Sequence, residues 1–157
     1  MRAKRNVPNP RTDEFVQAAG PSLARIFARV ALGAAFLSGV ADRFGFYPAS
    51  EGYGNFAGFV RYTAKVNSFM PAATIPFLAW AATVAEFALG ILLLSGLWPR
   101  WTALGSALLL AIFGTAMAIS MGIKAPLDYS VFSASAAAVL LSLQYSHRTR
   151  DKDERAV

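Results

Sequence analysis

The sequence predicts an all-α integral membrane protein, a four-helix bundle with an amphipathic outer-face segment between its first and second spans. Three observations carry this. Residues 75–98, IPFLAWAATVAEFALGILLLSGLW, form one long apolar run that at ~1.5 Å per residue covers roughly 36 Å, more than the ~30 Å thickness of a bilayer's hydrocarbon. Residues 101–123 carry no charged side chain. The chain as a whole is 55% hydrophobic and only 15% charged, too apolar for an ordinary soluble domain.

Taken in order, residues 1–21 read as a basic tail with two prolines before Pro21 and no apolar run long enough for a signal-peptide core. Thr12, Asp13 and Glu14 suit the start of a short surface helix that Gly20 would end, with Pro21 and Ser22 opening the next element. The first span, about 23–43, is anchored by Arg25 and Arg29 at one end and by Asp42 and Arg43 at the other. Its face Arg25, Arg29, Gly33, Phe36 and Val40 recurs at helical spacing, and Ala35 with Gly39 gives a small-xxx-small step for close helix contact.

Residues 44–74 are too long for a simple turn. After Asn55, the apolar positions Phe56, Phe59, Val60, Thr63 and Val66 have helical spacing with Arg61 and Lys65 on another side, an amphipathic helix for the membrane surface or the bundle mouth. The second span, about 75–98, places Ala79, Ala82, Thr83, Glu86, Gly90 and Leu93 on one stripe, so Glu86 should face the bundle interior. A tight basic turn, GLWPR, leads into the third span, about 101–121. Asp128 is placed to cap the fourth span, about 129–146, in which Ser130, Ala134, Ala138 and Ser142 form a ladder of small residues. These spans make one membrane domain over residues 22–146. Residues 147–157 read as a charged, unstructured tail.

Charge and residue types narrow the function. The net charge of +6 is a matter of topology rather than a nucleic-acid footprint. Outside the helices, nine basic residues fall in the tails and the GLWPR turn, against four (Arg43, Arg61, Lys65 and Lys124) on the other side. That bias assigns both termini to the cytoplasm and the chain to a bacterial cytoplasmic membrane. The absence of cysteine removes disulfides, iron–sulfur ligation and thiol chemistry. The single histidine, His147, lies in the tail, which leaves no set for haem or a His-based zinc site inside the bundle. No nucleophile, metal set or phosphate loop is recognisable, so a non-catalytic role is expected over a stand-alone enzyme.

The candidate site is Glu86, the only acid in the apolar core, near the midplane. A charge there is costly unless it is paired, faces protein or carries a proton. Arg29 is the deepest base of the first span and is expected to pair with it; Arg25 is expected to be a snorkelling anchor. Interhelical glue and a proton-carrying or ligand-contacting role are both open readings of the Glu86–Arg29 pair. Asp42, Arg43, Lys65, Asn67, Lys124, Asp128 and Tyr129 form a candidate polar cluster at the outer mouth, with capping and interface anchoring as the ordinary alternative.

SGVADRFG at the end of the first span, YTAKVN, AEFALGILLLSGLWPRW and GIKAPLDYSVFSASAAA, in this order and spacing, resemble the DoxX family of small four-helix bacterial membrane proteins, over about residues 23–143. The resemblance implies a relative of the DoxD subunit of archaeal thiosulfate:quinone oxidoreductase. It links the chain to quinone or thiol redox systems, and it places the family's second-span glutamate on Glu86 and its first-span arginine on Arg25 or Arg29. Without cysteines, unlike the MauE group, this chain would depend on a non-covalently bound quinone or on a partner's cofactor. The leading expectation is therefore an accessory or quinone-associated subunit that meets lipid and an oxidoreductase partner. A small proton or solute carrier using the Glu86–Arg29 pair, and a purely structural scaffold, are the alternatives. The glycine- and alanine-rich faces also permit homo-oligomers.

Overall fold

The structure, a computed structural model, describes the backbone of residues 10–48, 50 and 52–154 and the side chains of residues 20–48, 50 and 52–146. It is all-helical over these residues: α1 (Pro10–Arg43), α2 (Phe56–Val66), α3 (Ile75–Ser95), α4 (Pro99–Met121), the short α5 (Lys124–Asp128) and α6 (Val131–Glu154). α1 packs on α3, α3 on α4, α4 on α6 and α6 back on α1, which closes a four-helix ring, and α2 lies against α1, α3 and α4 at one end. Three helical stretches, Gly20–Arg43, Ala72–Ser95 and Pro99–Met121, are long and apolar enough to cross a membrane, and Val131–Ser146 is a shorter apolar one.

Burial runs opposite to a soluble protein. Small residues fill the interior, with Ala79, Ala103, Ala138 and Ser106 fully buried, while Phe77, Phe87, Ile91, Leu108 and Ile119 face outward. Between helices in lipid there is no water to expel, so association rests on close van der Waals contact, which small residues permit, and the bulky side chains meet acyl tails. The tightest crossing is between α1 and α3. A Cβ on Gly33 would stand 3.1 Å from the Gly90 carbonyl oxygen, and one on Gly90 would stand 3.3 Å from that of Gly33. Across α4 and α6, Ser135 Oγ donates to the Ala107 carbonyl at 2.8 Å, and Ala138 and Ser142 of the small-residue ladder are buried.

Several expectations are corrected. The chain does not break at Gly20: α1 continues through Gly20 and Pro21 from Pro10, so much of the expected basic tail is helical, while residues 1–9 lie outside the described part. The closest α1–α3 backbone contact falls at Gly33; of the Ala35–Gly39 step, Gly39 meets the Glu86 side chain and Ala35 is exposed at the edge of a small cavity. Asp128 does not cap α6. It ends α5 and pairs with Lys124, and α6 starts after Ser130, whose left-handed φ of 54° makes the corner and whose carbonyl accepts from Ala134 N at 3.0 Å. The expected unstructured tail is helical to Glu154; residues 155–157 lie outside the described part.

The amphipathic segment is where the pattern put it. Asn55 caps α2 by accepting from Gly58 N at 2.9 Å, Phe59, Thr63 and Val66 are buried, and Arg61 and Lys65 stay exposed. Aromatic contact fixes α2 to α3, with the Phe56 and Trp80 rings 4.4 Å apart.

Candidate functional site

α3 presents Ile75, Ala79, Thr83, Glu86, Gly90 and Leu93 to the interior. Glu86 is 5% exposed, and its partner is Arg43, 4% exposed, at the last residue of α1. Arg43 Nη2 donates to both carboxylate oxygens, at 2.7 and 2.8 Å. Arg43 Nη1 donates to Thr83 Oγ1 at 3.0 Å. The Thr83 hydroxyl can accept because its own proton is given to the Ala79 carbonyl, 2.8 Å away. The guanidinium carbon lies 3.7 Å from the centre of the Phe59 ring, so α2 covers the cation with an aromatic face. Gly39, one turn before Arg43, leaves room for the carboxylate: a Cβ there would stand 3.3 Å from Glu86 Oε2.

The expected Glu86–Arg29 pair is therefore corrected to Glu86–Arg43. Arg29 Nε donates to the Leu93 carbonyl at 2.9 Å and its Nη2 to that of Leu94 at 3.2 Å. It thus serves the open carbonyls at the end of α3, where the helix dipole favours a cation. The reason is direction. Cα–Cβ bonds tilt toward a helix's N-terminus, so every long side chain on α1 leans toward the start of α1. Arg29, already beyond Glu86 on that side, leans away from it, whereas Arg43, one turn past it on the other side, leans onto it. Arg25 sits nearer the start of α1 and donates to Ser22 Oγ at 2.8 Å.

The pair lines a cleft of about 1190 Å³ at the α2 end of the bundle. Of the expected mouth cluster, Asp42, Arg43, Asn67 and Tyr129 line this cleft together, whereas Lys65, Lys124 and Asp128 do not. Lys124 and Asp128 make an exposed ion pair with each other. Asp42 is engaged by the chain itself, its two carboxylate oxygens accepting from the Tyr53 amide at 3.2 and 3.0 Å. Asn67 uses its amide nitrogen on the Thr63 carbonyl, 3.0 Å away. Tyr53 and Tyr62, whose ring centres are 5.1 Å apart, also face the cleft; burial pushes both phenols above their ordinary pKa, with Tyr62 adding to the effect on Tyr53 and Tyr129 to that on Tyr62. The amphipathic pattern places Phe59 on the buried face of α2 but carries no signal for its contact with the cation, nor for the places of Tyr53 and Tyr62 at the cleft.

Toward the opposite end Glu86 borders a second, mainly apolar cavity of about 180 Å³ that includes Leu32, Phe36 and Leu110. Beyond it Leu93, Ala103, Ala107, Ala138 and Leu141 close the bundle. Among the described residues no three His, Asp or Glu side chains gather in an arrangement that could hold a metal ion. The arrangement is thus a cleft whose inner limit is a buried carboxylate–guanidinium pair, with both carboxylate oxygens bonded and Arg43 Nε–H left without a partner among the described residues.

A family model described as DoxX matches residues 24–121. The chain belongs to the DoxX family. The DoxX segment contains both partners of the ion pair, Arg43 and Glu86, and all of α2, α3 and α4, while Tyr129 and α6 lie beyond it. No curated protein and no solved structure matches the chain.

Proposed function

We propose that this DoxX-family membrane protein is a non-catalytic, quinone-associated subunit of a redox system in the bacterial cytoplasmic membrane, holding its ligand in the cleft above Arg43–Glu86. The observation that supports the reading most is the cleft itself. It is a large open cleft, closed off toward the packed end of the bundle, with aromatic walls and a few convergent polar groups, which is the usual make-up of a site for a small organic ligand. A quinone suits these residues. Its ring would meet Phe59 and the Tyr53 and Tyr62 rings, and its carbonyl oxygens need donors, which the phenols and the Arg43 guanidinium supply. The quinone would bring the capacity to accept and donate electrons; the chain's own residues would bind it, exclude water and keep a fixed charge pair at its edge.

The test is purification in mild detergent, followed by identification of bound lipid-soluble molecules and of copurifying oxidoreductase subunits. Quinone should be enriched at least about tenfold over an unrelated membrane protein taken from the same membranes, and that enrichment should fall in an Arg43→Met/Glu86→Leu double variant. Quinone at the control level would end this reading. One observation favours a carrier instead: Glu86 borders cavities on both of its sides. Proton flux into liposomes containing this protein alone, lost in Glu86→Gln, would establish that alternative.

A further inference from the structure

We propose that the cleft is filled sideways from the lipid, through a slot between α3 and α4, and that its occupant is an uncharged lipid-soluble molecule with a hydrogen-bonding head. This deepens the ligand-holding reading above and rests on it. α3 and α4 leave their connecting turn in contact, and they still touch where Leu89 Cδ2 lies 3.2 Å from the place a Cβ on Gly105 would occupy. Past that step the two helices become opposite walls of the cleft. Ala85, Ala82 and Ala81 line it from α3, level with Leu109, Ile112 and Phe113 on α4. Three alanines in a row on one wall leave the gap that larger side chains would close. The lips face outward, for Ala81 is exposed and Ile112 is 54% exposed, and outward at this level of an apolar span means acyl chains.

Charge sets the occupant's class. Among the described residues, the charged side chains lining the cleft are Asp42, Arg43 and Glu86. Arg43 and Glu86 cancel each other, which leaves the Asp42 carboxylate as the net charge. Lys65, Lys124 and Arg61 are not among the lining residues, so among the described residues no second cation offsets it. An anionic head would meet a like charge in a poorly solvated site, where such repulsion is least screened. A neutral head finds donors instead. The Tyr53 and Tyr62 phenols line the cleft, and Arg43 Nε–H is buried with no partner among the described groups.

The experiment uses the full chain in lipid nanodiscs and two photoactivatable diazirine probes with the same sixteen-carbon chain, one an alcohol and one a carboxylate. The alcohol should label residues 78–86 and 109–113 at least about fivefold more than the carboxylate, and labelling should fall about fivefold in Ala85→Trp. Ala88→Trp, which adds the same bulk to an outward position away from the cleft, should leave labelling unchanged. Should Ala85→Trp fail to fold, Ala81→Leu fills the slot with less bulk and carries the same expectation. Equal labelling by the carboxylate, or undiminished labelling in a folded slot-filled variant, overturns the proposal. Adding a short-chain benzoquinone as competitor separates the two ideas. Alcohol labelling that the quinone does not reduce leaves the slot standing and removes the quinone; quinone copurification with undiminished labelling of the slot-filled protein does the reverse.

Discussion

The two ends of the bundle are built from the same helix pair, α1 and α3, yet they are opposites. At the end away from α2, Gly33 and Gly90 bring the backbones nearly into contact, and Leu93, Ala103, Ala138 and Leu141 seal the interior. At the α2 end an ion pair bridges the same two helices at the wall of a cleft. Each end also has an arginine from α1 that reaches α3. Arg29 finds the carbonyls of a helix terminus, which are partly solvated and need a donor whatever its identity. Arg43 finds a carboxylate that, among the described residues, has no other cation. The depth of an arginine in the span therefore says less about its role than the direction in which its side chain leans and the group waiting there.

The largest expected effect separates these two arginines. Arg43→Ala leaves Glu86 buried without its cation and should destabilise the protein by roughly 3–5 kcal/mol, the usual cost of breaking a buried pair from one side. Arg29→Ala removes two hydrogen bonds at a partly exposed helix end and should cost only about 1–2 kcal/mol. Thermal unfolding in detergent gives the order, and a larger loss for Arg29 would mean that the comparison has been drawn between the wrong residues. The double variant Arg43→Met/Glu86→Leu sharpens it. If the pair serves packing alone, exchanging both charges for apolar groups of similar size should restore most of the stability lost in Arg43→Ala, and any loss of ligand that persists in the restored protein belongs to the pair's chemistry.

The interior stripe of α3 was legible in the sequence because it is a periodic signal: Ala79, Thr83, Glu86, Gly90 and Leu93 recur at three- and four-residue steps, and all of them are buried. The α2 helix was legible for the same reason, together with its Asn55 cap. Depth alone points to Arg29 as the partner, although the same arithmetic contains Arg43. The stripe Gly33, Phe36, Val40 continues to Arg43 three residues later, and those four residues are buried. What was missing is side-chain direction, which hydropathy does not report: Arg29 was favoured for its depth, and depth is the wrong coordinate when every Cβ on the helix tilts one way. The cleft was illegible for another reason. It lies between elements distant in sequence, with α3 and α4 forming two of its walls beyond the Leu89–Gly105 contact, a tertiary property with no sequence period.

A second, smaller effect contrasts the glycines of the two ends. On Gly90 a Cβ would lie 2.8 Å from Leu37 Cγ as well as against the Gly33 backbone, so Gly90→Ala forces the α1–α3 crossing apart and should cost about 1–3 kcal/mol. On Gly39 the nearest atom is Glu86 Oε2 at 3.3 Å, the end of a side chain that can shift by a few tenths of an ångström. Gly39→Ala should therefore cost less than about 1 kcal/mol in stability while displacing the carboxylate from Arg43. Unfolding measurements on both variants, with an infrared carboxylate band as the readout for Glu86, test the contrast; a Gly39→Ala loss equal to that of Gly90→Ala would show both ends to be equally tight.

The smallest effect belongs to the α2 end alone and appears only in alkali. Burial holds the Tyr53 and Tyr62 phenols in their neutral form, raising each above the ordinary value of 10.0. A group whose folded-state pKa is raised contributes stability that is fully present below its unfolded pKa and is lost as the pH climbs from there through the folded value. Stability should thus be insensitive to these tyrosines up to about pH 10 and should fall above it, by at most ~1.4 kcal/mol per pH unit for each phenol. Tyr53→Phe removes one such group without removing its ring contact with Phe59 at 5.1 Å. The variant's melting temperature should decline less steeply than the wild type's between pH 10 and 11, and the late-titrating part of the phenolate absorbance near 295 nm should shrink. Parallel declines with an unchanged absorbance titration would mean that the Tyr53 phenol is open to water, and hence that the α2 end does not exclude solvent from the wall of the cleft.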